Sequence, residues 1–428
     1  MTDVLQIDAL AYGGNGIGRQ ADGKAVFVPY SAPGDQLLWR PARVKKRHIE
    51  AELVELLIPG EGRCEPVCPV FGQCGGCQWQ HLTYPRQLHW KQRFLADALE
   101  RHAGLAEVAL LPAVGSADLW HYRNRAQFKC HVTADGPLLG FYRRGSHFVI
   151  PIKHCPILRP EINQSLDFLR QLLESSAQPD KIPQLDVAVG DDGAVRVVCH
   201  FIGPVDRNWQ ARAISLADER GYGLLLQQGR KSTLQRLSGA EDLQLQVDQP
   251  PITLCFGPGG FAQINSNQNR RLVGAVVALA ALHGSERLLD LFCGMGNFSL
   301  SLARRASRLT GVEDYPVSIA RAKANARLNR IDNVDFLVAD AAAFMASAEQ
   351  HYDLVLLDPP RVGAGSEVVQ ALLRLNPERI IYISCDPITL ARDLALLLRH
   401  SYRSVSSQVF DLFPQTYHLE SVTMLERR

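Results

Sequence analysis

The chain has 428 residues, 46% hydrophobic and 21% charged, with a formal net charge of +2. That length predicts two to four domains, each with its own core, and no stretch approaches the roughly 20 apolar residues of a membrane span. So even a balance excludes nucleic-acid binding by overall charge, and any such binding has to come from a local patch.

The start, "MTDVLQIDAL", lacks the basic and apolar regions of a secretory signal, so a cytoplasmic location is expected,. In that reducing compartment the ten cysteines should be free, metal-bound or catalytic,. Residues 3–57 alternate β-rich runs such as "VLQIDAL" and "KAVFVPY" with turn signals such as "AYGGNG", "ADGK" and "PGEG". Short strands at this spacing predict a small barrel over residues 1–59. Arg40, Arg43, Lys45, Lys46 and Arg47 lie together in "RPARVKKRH", a solvated strand end or a nucleic-acid contact,.

A second segment, 60–255, opens with four cysteines in residues 64–77. Cys68, Cys74 and Cys77 form C-x5-C-x2-C, a thiolate pattern that binds zinc or iron–sulfur, with Cys64 a fourth ligand by proximity. Residues 83–103 predict a helix that packs on the C-terminal domain: Pro85 is near its start, Leu88, Leu95 and Leu99 recur at helical spacing, and Gly104 ends it. Residues 120–255 read as mixed strands and helices, opening on the basic, aromatic run "HYRNRAQFK".

Over residues 256–428 apolar runs alternate with helical stretches, which predicts a parallel sheet with helices on both faces. Two final extended pieces, "SSQVFDLF" and "HLESVTML", predict an antiparallel hairpin at the sheet edge. "LLDLFCGMGNFSL" reads as strand, glycine turn and helix start, with Gly294 and Gly296 allowing close backbone approach to a ligand. Ser299 stands where the dinucleotide fingerprint has its third glycine. Glu313 ends the next strand, where an acid reaches ribose hydroxyls, and Asp340 ends the third, where it can meet an adenine edge. A cofactor with ribose but no pyrophosphate fits, and S-adenosylmethionine is one.

Asp358 ends the fourth strand in "LLDPPR". Amino-methyltransferases place an aromatic residue after such prolines; Arg361 stands there instead, which argues against N-methylation. Cys385 ends the fifth strand, with Asp386 a predicted N-cap and Pro387 the first helical residue. The helix N-terminus should favour the thiolate, whereas Cys130, Cys199, Cys255 and Cys293 read as inert. A thiolate beside a methyl donor suits carbon 5 of uracil: addition to carbon 6 makes carbon 5 enolate-like. A base must then remove the carbon-5 proton, and Glu420 heads the last strand.

Taken together, "DLFCGMGNFSL", "SCDPITLARD", "FPQTYHLES" and the early cysteines make the whole chain resemble RNA (uracil-5)-methyltransferases of the RumA/TrmA type, most closely those acting on 23S ribosomal RNA. The resemblance implies a multidomain α/β protein: an OB-like, RNA-binding TRAM barrel, a central α+β iron–sulfur domain and a Rossmann-like methyltransferase domain. It makes Cys385 the nucleophile and Glu420 the base. It places Gln263, Phe292, Gly294, Asn297, Glu313, Asp340 and Asp358 at the S-adenosylmethionine pocket, Asp358 also bonding the uracil. It carries the fourth ligand to Cys155, beside Cys68, Cys74 and Cys77, and implies a structural four-iron, four-sulfur cluster. The implied substrate is a flipped-out uridine of structured RNA, 23S ribosomal or else transfer RNA in its T loop, bound by a monomer without membrane contact. The barrel and "HYRNRAQFK" would hold the flanking nucleotides. An N-methyltransferase and a non-catalytic RNA-binding iron–sulfur protein are the other readings.

Overall fold

The computed structural model describes residues 4–105, 109–230 and 233–428. Strands β1 (Val4–Leu10), β2 (Gly16–Arg19), β3 (Ala25–Val28), β4 (Gln36–Val44) and β5 (His48–Ile58) close a barrel in the order β1-β2-β3-β5-β4. Alternation builds it: Leu5, Ile7, Val26, Val28, Leu37 and Ile49 are all buried in its centre,. Helix α1 (Tyr84–Ala98) follows the cysteine-rich loop, continues as a π-helical turn over Leu99–Ala103, and ends on Gly104 at a left-handed φ of 69°,. Its buried face is Gln87, Lys91, Phe94, Leu95 and Ala98. The expected Leu88 is only half-buried.

After β6 (Leu110–Val114) come β7 (Arg125–Thr133), β8 (Gly136–Tyr142), β9 (Val149–Pro151), α2 (Pro160–Glu174), β10 (Gln184–Val189), β11 (Val195–Phe201), α3 (Arg207–Arg220), β12 (Gly223–Gln228) and β13 (Leu234–Ser238). All but β6 and the helices form a seven-stranded sheet in the order β13-β12-β11-β10-β7-β8-β9. Phe168 and Leu169 of α2 and Trp209 of α3 share its core with Val187 and Val197. Strands β14 (Leu243–Val247) and β15 (Ile252–Phe256) pair with each other, and α4 (Ser266–Ala280) leads into the last domain.

That domain runs β16 (Arg287–Leu291), α5 (Ser299–Ala303), β17 (Arg308–Glu313), α6 (Pro316–Leu328), β18 (Val334–Val338), α7 (Ala341–Ser347), β19 (Leu354–Leu357), α8 (Ser366–Leu375), β20 (Arg379–Ser384), α9 (Pro387–His400), β21 (Tyr402–Phe410) and β22 (Glu420–Arg427). The strands make one sheet in the order β18-β17-β16-β19-β20-β22-β21-β6. β16 to β20 are mutually parallel, and β22 pairs antiparallel with both β20 and β21. Both faces are buried, which is why the strands read as unbroken apolar runs: Leu354 and Leu356 enter one core, Val355 and Leu357 the other,. The second core also takes Leu10 of the barrel, Trp79 of the cysteine-rich loop, and Leu95 and Leu99, so three parts of the chain pack on one face.

The terminal hairpin is present, but it is not the sheet edge. β6 lies beyond it, parallel to β21, with Leu110 opposite Ser407 and Leu111 opposite Gln408. Pro112 has no N–H to donate and suits an outermost strand.

Candidate active site

The loops at the C-terminal ends of β16, β17, β19 and β20 converge with the start of β22. After β16 the backbone turns sharply: Phe292 has φ 64°, Gly294 54° and Gly296 93°. A Cβ on Gly296 would lie 3.2 Å from Leu300 and 3.3 Å from Phe336, so glycine is required there,. A Cβ on Gly294 would meet nothing within 4 Å: that turn faces open space. Glu313, at the end of β17, accepts hydrogen bonds from the Gly294 (3.2 Å) and Tyr315 (3.1 Å) amides. These bonds pull its pKa down, but burial and a hydrogen bond with Asp314 hold it above the ordinary value. Asn297 exchanges amide hydrogen bonds with Asn269 of α4 (2.8 and 3.1 Å). Gln263 is buried, on a loop whose Gln263 carbonyl accepts from Asn124 (3.1 Å). Asp340 caps α7, accepting from the Ala343 amide at 2.9 Å.

Below the turn, Asp290 is fully enclosed. Ser299 Oγ donates to its Oδ2, while Oδ1 has no partner among the described residues. Burial pushes Asp290 up to about 8. Asp358 is raised to about 7, by burial first and then by Glu313.

The register of β20 and β22 sets the next pair. Ser384 lies opposite Ser421, so Cys385 and Glu420, one step on, flank the same end of the ladder. Asp386 caps α9, accepting from Ile388 (3.0 Å) and Thr389 (3.1 Å), with Pro387 next. Ser384 Oγ accepts from the Asp386 amide at 3.1 Å, which fixes the peptide around the thiol. Cys385 is half-buried and Glu420 is 3% exposed, near enough to act on the thiol's charge.

The thiol is not a standing thiolate. Burial, then the Glu420 and Asp358 carboxyls, push Cys385 up to about 12, and only Arg361 pulls the other way. The helix N-terminus expected to favour the thiolate is outweighed, first by burial of the thiol and then by the two acids beside it,. Glu420 is itself raised well above the ordinary carboxyl value, by burial and then Asp358. His418, two residues before it, is lowered to about 4 by burial and by Arg361, and so is neutral.

Two features of this site escaped the sequence reading. Tyr12, from the barrel, donates from Oη to Asp386 Oδ2 at 3.1 Å, across 374 positions of chain. Its ring stands edge-on to Phe94 and Tyr417, each at 5.7 Å. The loop leading to Glu420 is also held from beneath. Lys91 donates to Asp411 (2.6 Å) and to the Phe413 carbonyl (3.0 Å), and Gln87 exchanges hydrogen bonds with Gln415 (2.8 and 3.0 Å). Gln415 has a left-handed φ of 70°. Its carbonyl accepts from the Gln78 (3.1 Å) and Trp79 (3.0 Å) amides, directly after Cys77.

Cys68, Cys74, Cys77 and Cys155 line one cavity of about 100 Å3. Cys64 lines a different one, between the barrel and Phe71. Burial pushes Cys77 up to about 12 and Cys155 to about 11, and neighbouring thiols add to both shifts. Among the described residues no three His, Cys, Asp or Glu side chains are grouped to hold a single metal ion.

"HYRNRAQFK" is not an exposed patch. Tyr122 is buried with its hydroxyl donating to the Pro414 carbonyl (3.0 Å), Asn124 is buried, and Arg125 donates to the Gly260 carbonyl (3.1 Å). The run ties the central sheet to the Gln263 loop and to the loop leading to Glu420.

A family model described as tRNA (Uracil-5-)-methyltransferase matches residues 83–428. The chain belongs to this family. Relatives named 23S rRNA (uracil(1939)-C(5))-methyltransferase RlmD are similar over nearly the whole chain. The protein of Alkalilimnicola ehrlichii is 38% identical, covering 99% of this chain and 96% of its own length. That of Xanthomonas axonopodis pv. citri is 36% identical, covering 98% and 96%. The crystal structure of the Pyrococcus abyssi tRNA (uracil-54, C5)-methyltransferase in complex with S-adenosyl-L-homocysteine superposes with a TM-score of 0.78 at 26% identity, covering 99% of this chain and 100% of that one. The methyltransferase is therefore an S-adenosylmethionine-dependent enzyme acting on uracil carbon 5 in RNA. Among its described residues no helix is long and apolar enough to cross a membrane.

Proposed function

We propose that this enzyme methylates carbon 5 of one uridine in 23S ribosomal RNA through a transient bond between Cys385 and carbon 6. The observation that carries the reading is a half-buried thiol and a buried carboxyl at the same end of the β20–β22 ladder, beside the strand ends that bear Glu313 and Asp358. The ribosomal substrate is supported by relatives at 34–38% identity over the full chain, against 26% for the transfer RNA enzyme. Such a substrate places the protein in the cytoplasm.

S-adenosylmethionine supplies an electrophilic methyl group on a sulfonium. Gly294 and Gly296 fit its approach, Glu313 its ribose, and Gln263, Phe292, Asn297, Asp340 and Asp358 the rest of its pocket. Cys385 adds to carbon 6, its proton passing to the Asp358 carboxylate and not to Glu420, and the ring electrons move to carbon 5, which takes the methyl group. Glu420 then removes the carbon-5 proton. The double bond re-forms, the carbon–sulfur bond breaks, and Glu420 returns a proton to the departing sulfur. A thiol with so high a pKa is almost wholly protonated at neutral pH, so its attack needs a base, and its thiolate is a slow leaving group. The adjacent Glu420 acid answers that problem by protonating it as it leaves.

Cys68, Cys74, Cys77 and Cys155 would hold a four-iron, four-sulfur cluster. Supporting this are four thiols on one cavity, several times larger than the roughly 10–15 Å3 that one water needs. All four cysteines would be ligands, so the group would be structural, anchoring Gln78 and Trp79 against the loop leading to Glu420.

The test uses labelled methyl donor with separate 23S ribosomal and transfer RNA, followed by nucleoside analysis. Label in 5-methyluridine of ribosomal RNA is expected; label in transfer RNA alone would refute the substrate, and an N-methylated base the mechanism. Cys385→Ala should still bind RNA but lose the denaturant-stable adduct with 5-fluorouridine RNA. Anaerobically purified protein should be brown, Cys155→Ala colourless and Cys64→Ala brown.

A further inference from the structure

Of the two basic stretches that the sequence offers as RNA contacts, "HYRNRAQFK" is folded inward. On the barrel Arg40 pairs with Glu52 and Lys45 with Glu50, while Arg43, Lys46 and Arg47 stay exposed in a run that has no phenylalanine, tyrosine or tryptophan. A third stretch joins exposed cations to exposed aromatic rings. Residues 142–148, "YRRGSHF", join β8 to β9 and are all exposed, with Tyr142 at 37% and Phe148 at 56%. Residues 136–160 contain no aspartate or glutamate.

The tip is rigid. The Arg143 amide donates to the Phe148 carbonyl (2.8 Å), Ser146 to the Arg143 carbonyl (3.1 Å), and Gly145 takes a left-handed φ of 67°. The Gly75 amide donates to the Tyr142 carbonyl (2.9 Å), fastening the hairpin to the cysteine-rich loop. Cations already lie over the exposed rings: Arg143 is 5.0 Å from the Phe148 centroid and Lys129 5.4 Å from that of Tyr142. Exposed aromatic rings, each already sharing one side with a cation that has no acidic partner among the described residues, suit stacked bases and their phosphates,.

The hairpin also lies on the route to the chemistry. Arg144 donates to Asn15 Oδ1 at 2.8 Å. Asn15 and Tyr12 belong to one barrel loop and are at most about 11 Å apart along it. Tyr12 touches Asp386, the neighbour of Cys385.

We propose that the 142–148 hairpin seats unpaired nucleotides flanking the target uridine, Phe148 and Tyr142 stacking on bases and Arg143 on a phosphate. This rests on the reading that the chain takes structured RNA, and it deepens it: a stacking platform selects a single-stranded flank, because paired bases do not offer their faces.

The test measures fluorescence anisotropy of the full-length protein, across a salt series, with a 23S fragment whose flank is either unpaired or closed into a duplex. Phe148→Ala should weaken binding of the unpaired form about tenfold. Arg143→Ala should flatten the slope of log affinity against log salt by about 0.7. Both residues are exposed, so the melting temperature and turnover at saturating RNA should stay unchanged. Wild-type affinity and slope in both variants would overturn the proposal, as would equal losses on the duplex flank. If only transfer RNA is methylated and the variants lose affinity for it, the ribosomal substrate falls while the hairpin's role stands.

Discussion

Lys91 offers the sharpest test of how the loop leading to Glu420 is held. Its side chain and that of Asp411 are both 0% exposed, with 2.6 Å between Nζ and Oδ1. Burial lowers the Lys91 pKa and the Asp411 carboxylate opposes this. Lys91→Met keeps the length and the apolar stem, so little cavity forms, but it leaves a buried carboxylate with the Phe413 amide (3.0 Å) and no cation. Breaking such a pair costs roughly 3–5 kcal/mol. The loop that moves carries Glu420, and a displacement near 1 Å costs about 100-fold in rate. Urea unfolding should show the stability loss and single-turnover methylation the rate loss, while S-adenosylhomocysteine affinity stays normal because its side chains stand on other strands. Lys91→Met with Asp411→Asn should recover at least about 2 kcal/mol, since the stranded charge is gone. A single variant within about 1 kcal/mol of wild type and fully active would show that the pair is not ionised and does not position the loop.

Tyr12→Phe keeps the ring contacts and removes one bond to a carboxylate. It should slow adduct formation with 5-fluorouridine RNA about tenfold, about 1.4 kcal/mol of barrier, leaving RNA affinity alone; an unchanged rate would confine the barrel to binding. The raised Cys385 pKa has a direct reading in RNA-free protein. The thiolate is disfavoured until the pH nears about 12, so alkylation of Cys385 should climb about tenfold per pH unit from 7 to 10 without levelling. A plateau below pH 9 would mean that the helix N-terminus wins after all. Gly296→Ala puts a side chain at φ 93°, against Leu300 and Phe336. Calorimetry should show at least tenfold weaker S-adenosylhomocysteine binding; unchanged binding would remove that turn from the pocket.

What the sequence made legible was local. Strand-end residues could be read because parallel strands buried on both faces are unbroken apolar runs, and the residue after each run has to face the crevice. Asp386 and Pro387 announced a helix start within two positions. What stayed hidden joins distant segments. β6 is five residues, "LLPAV", with a proline inside, and nothing local says that it pairs with residues 407–410. Lys91 looks like solvent-facing charge until Asp411 arrives from 320 positions away. The basic run at 121–129 gave a composition, not a facing, and its tyrosine and asparagine turned inward. The thiol's pKa followed its burial and the acids around it, which the pairing of β20 with β19 and with β22 brings together.

The place of β22 between β20 and β21 bears on how the enzyme is made. A chain growing from its N-terminus holds β6 long before residue 402 exists. At about 5–20 residues per second that interval is roughly 15–60 s. β21 has no partner on its β20 side until residues 420–427 emerge and fill the place between them. Glu420 rides on that strand, so under the proposed mechanism the nascent protein holds its nucleophile before its base, and a chain cut short before residue 420 should methylate nothing.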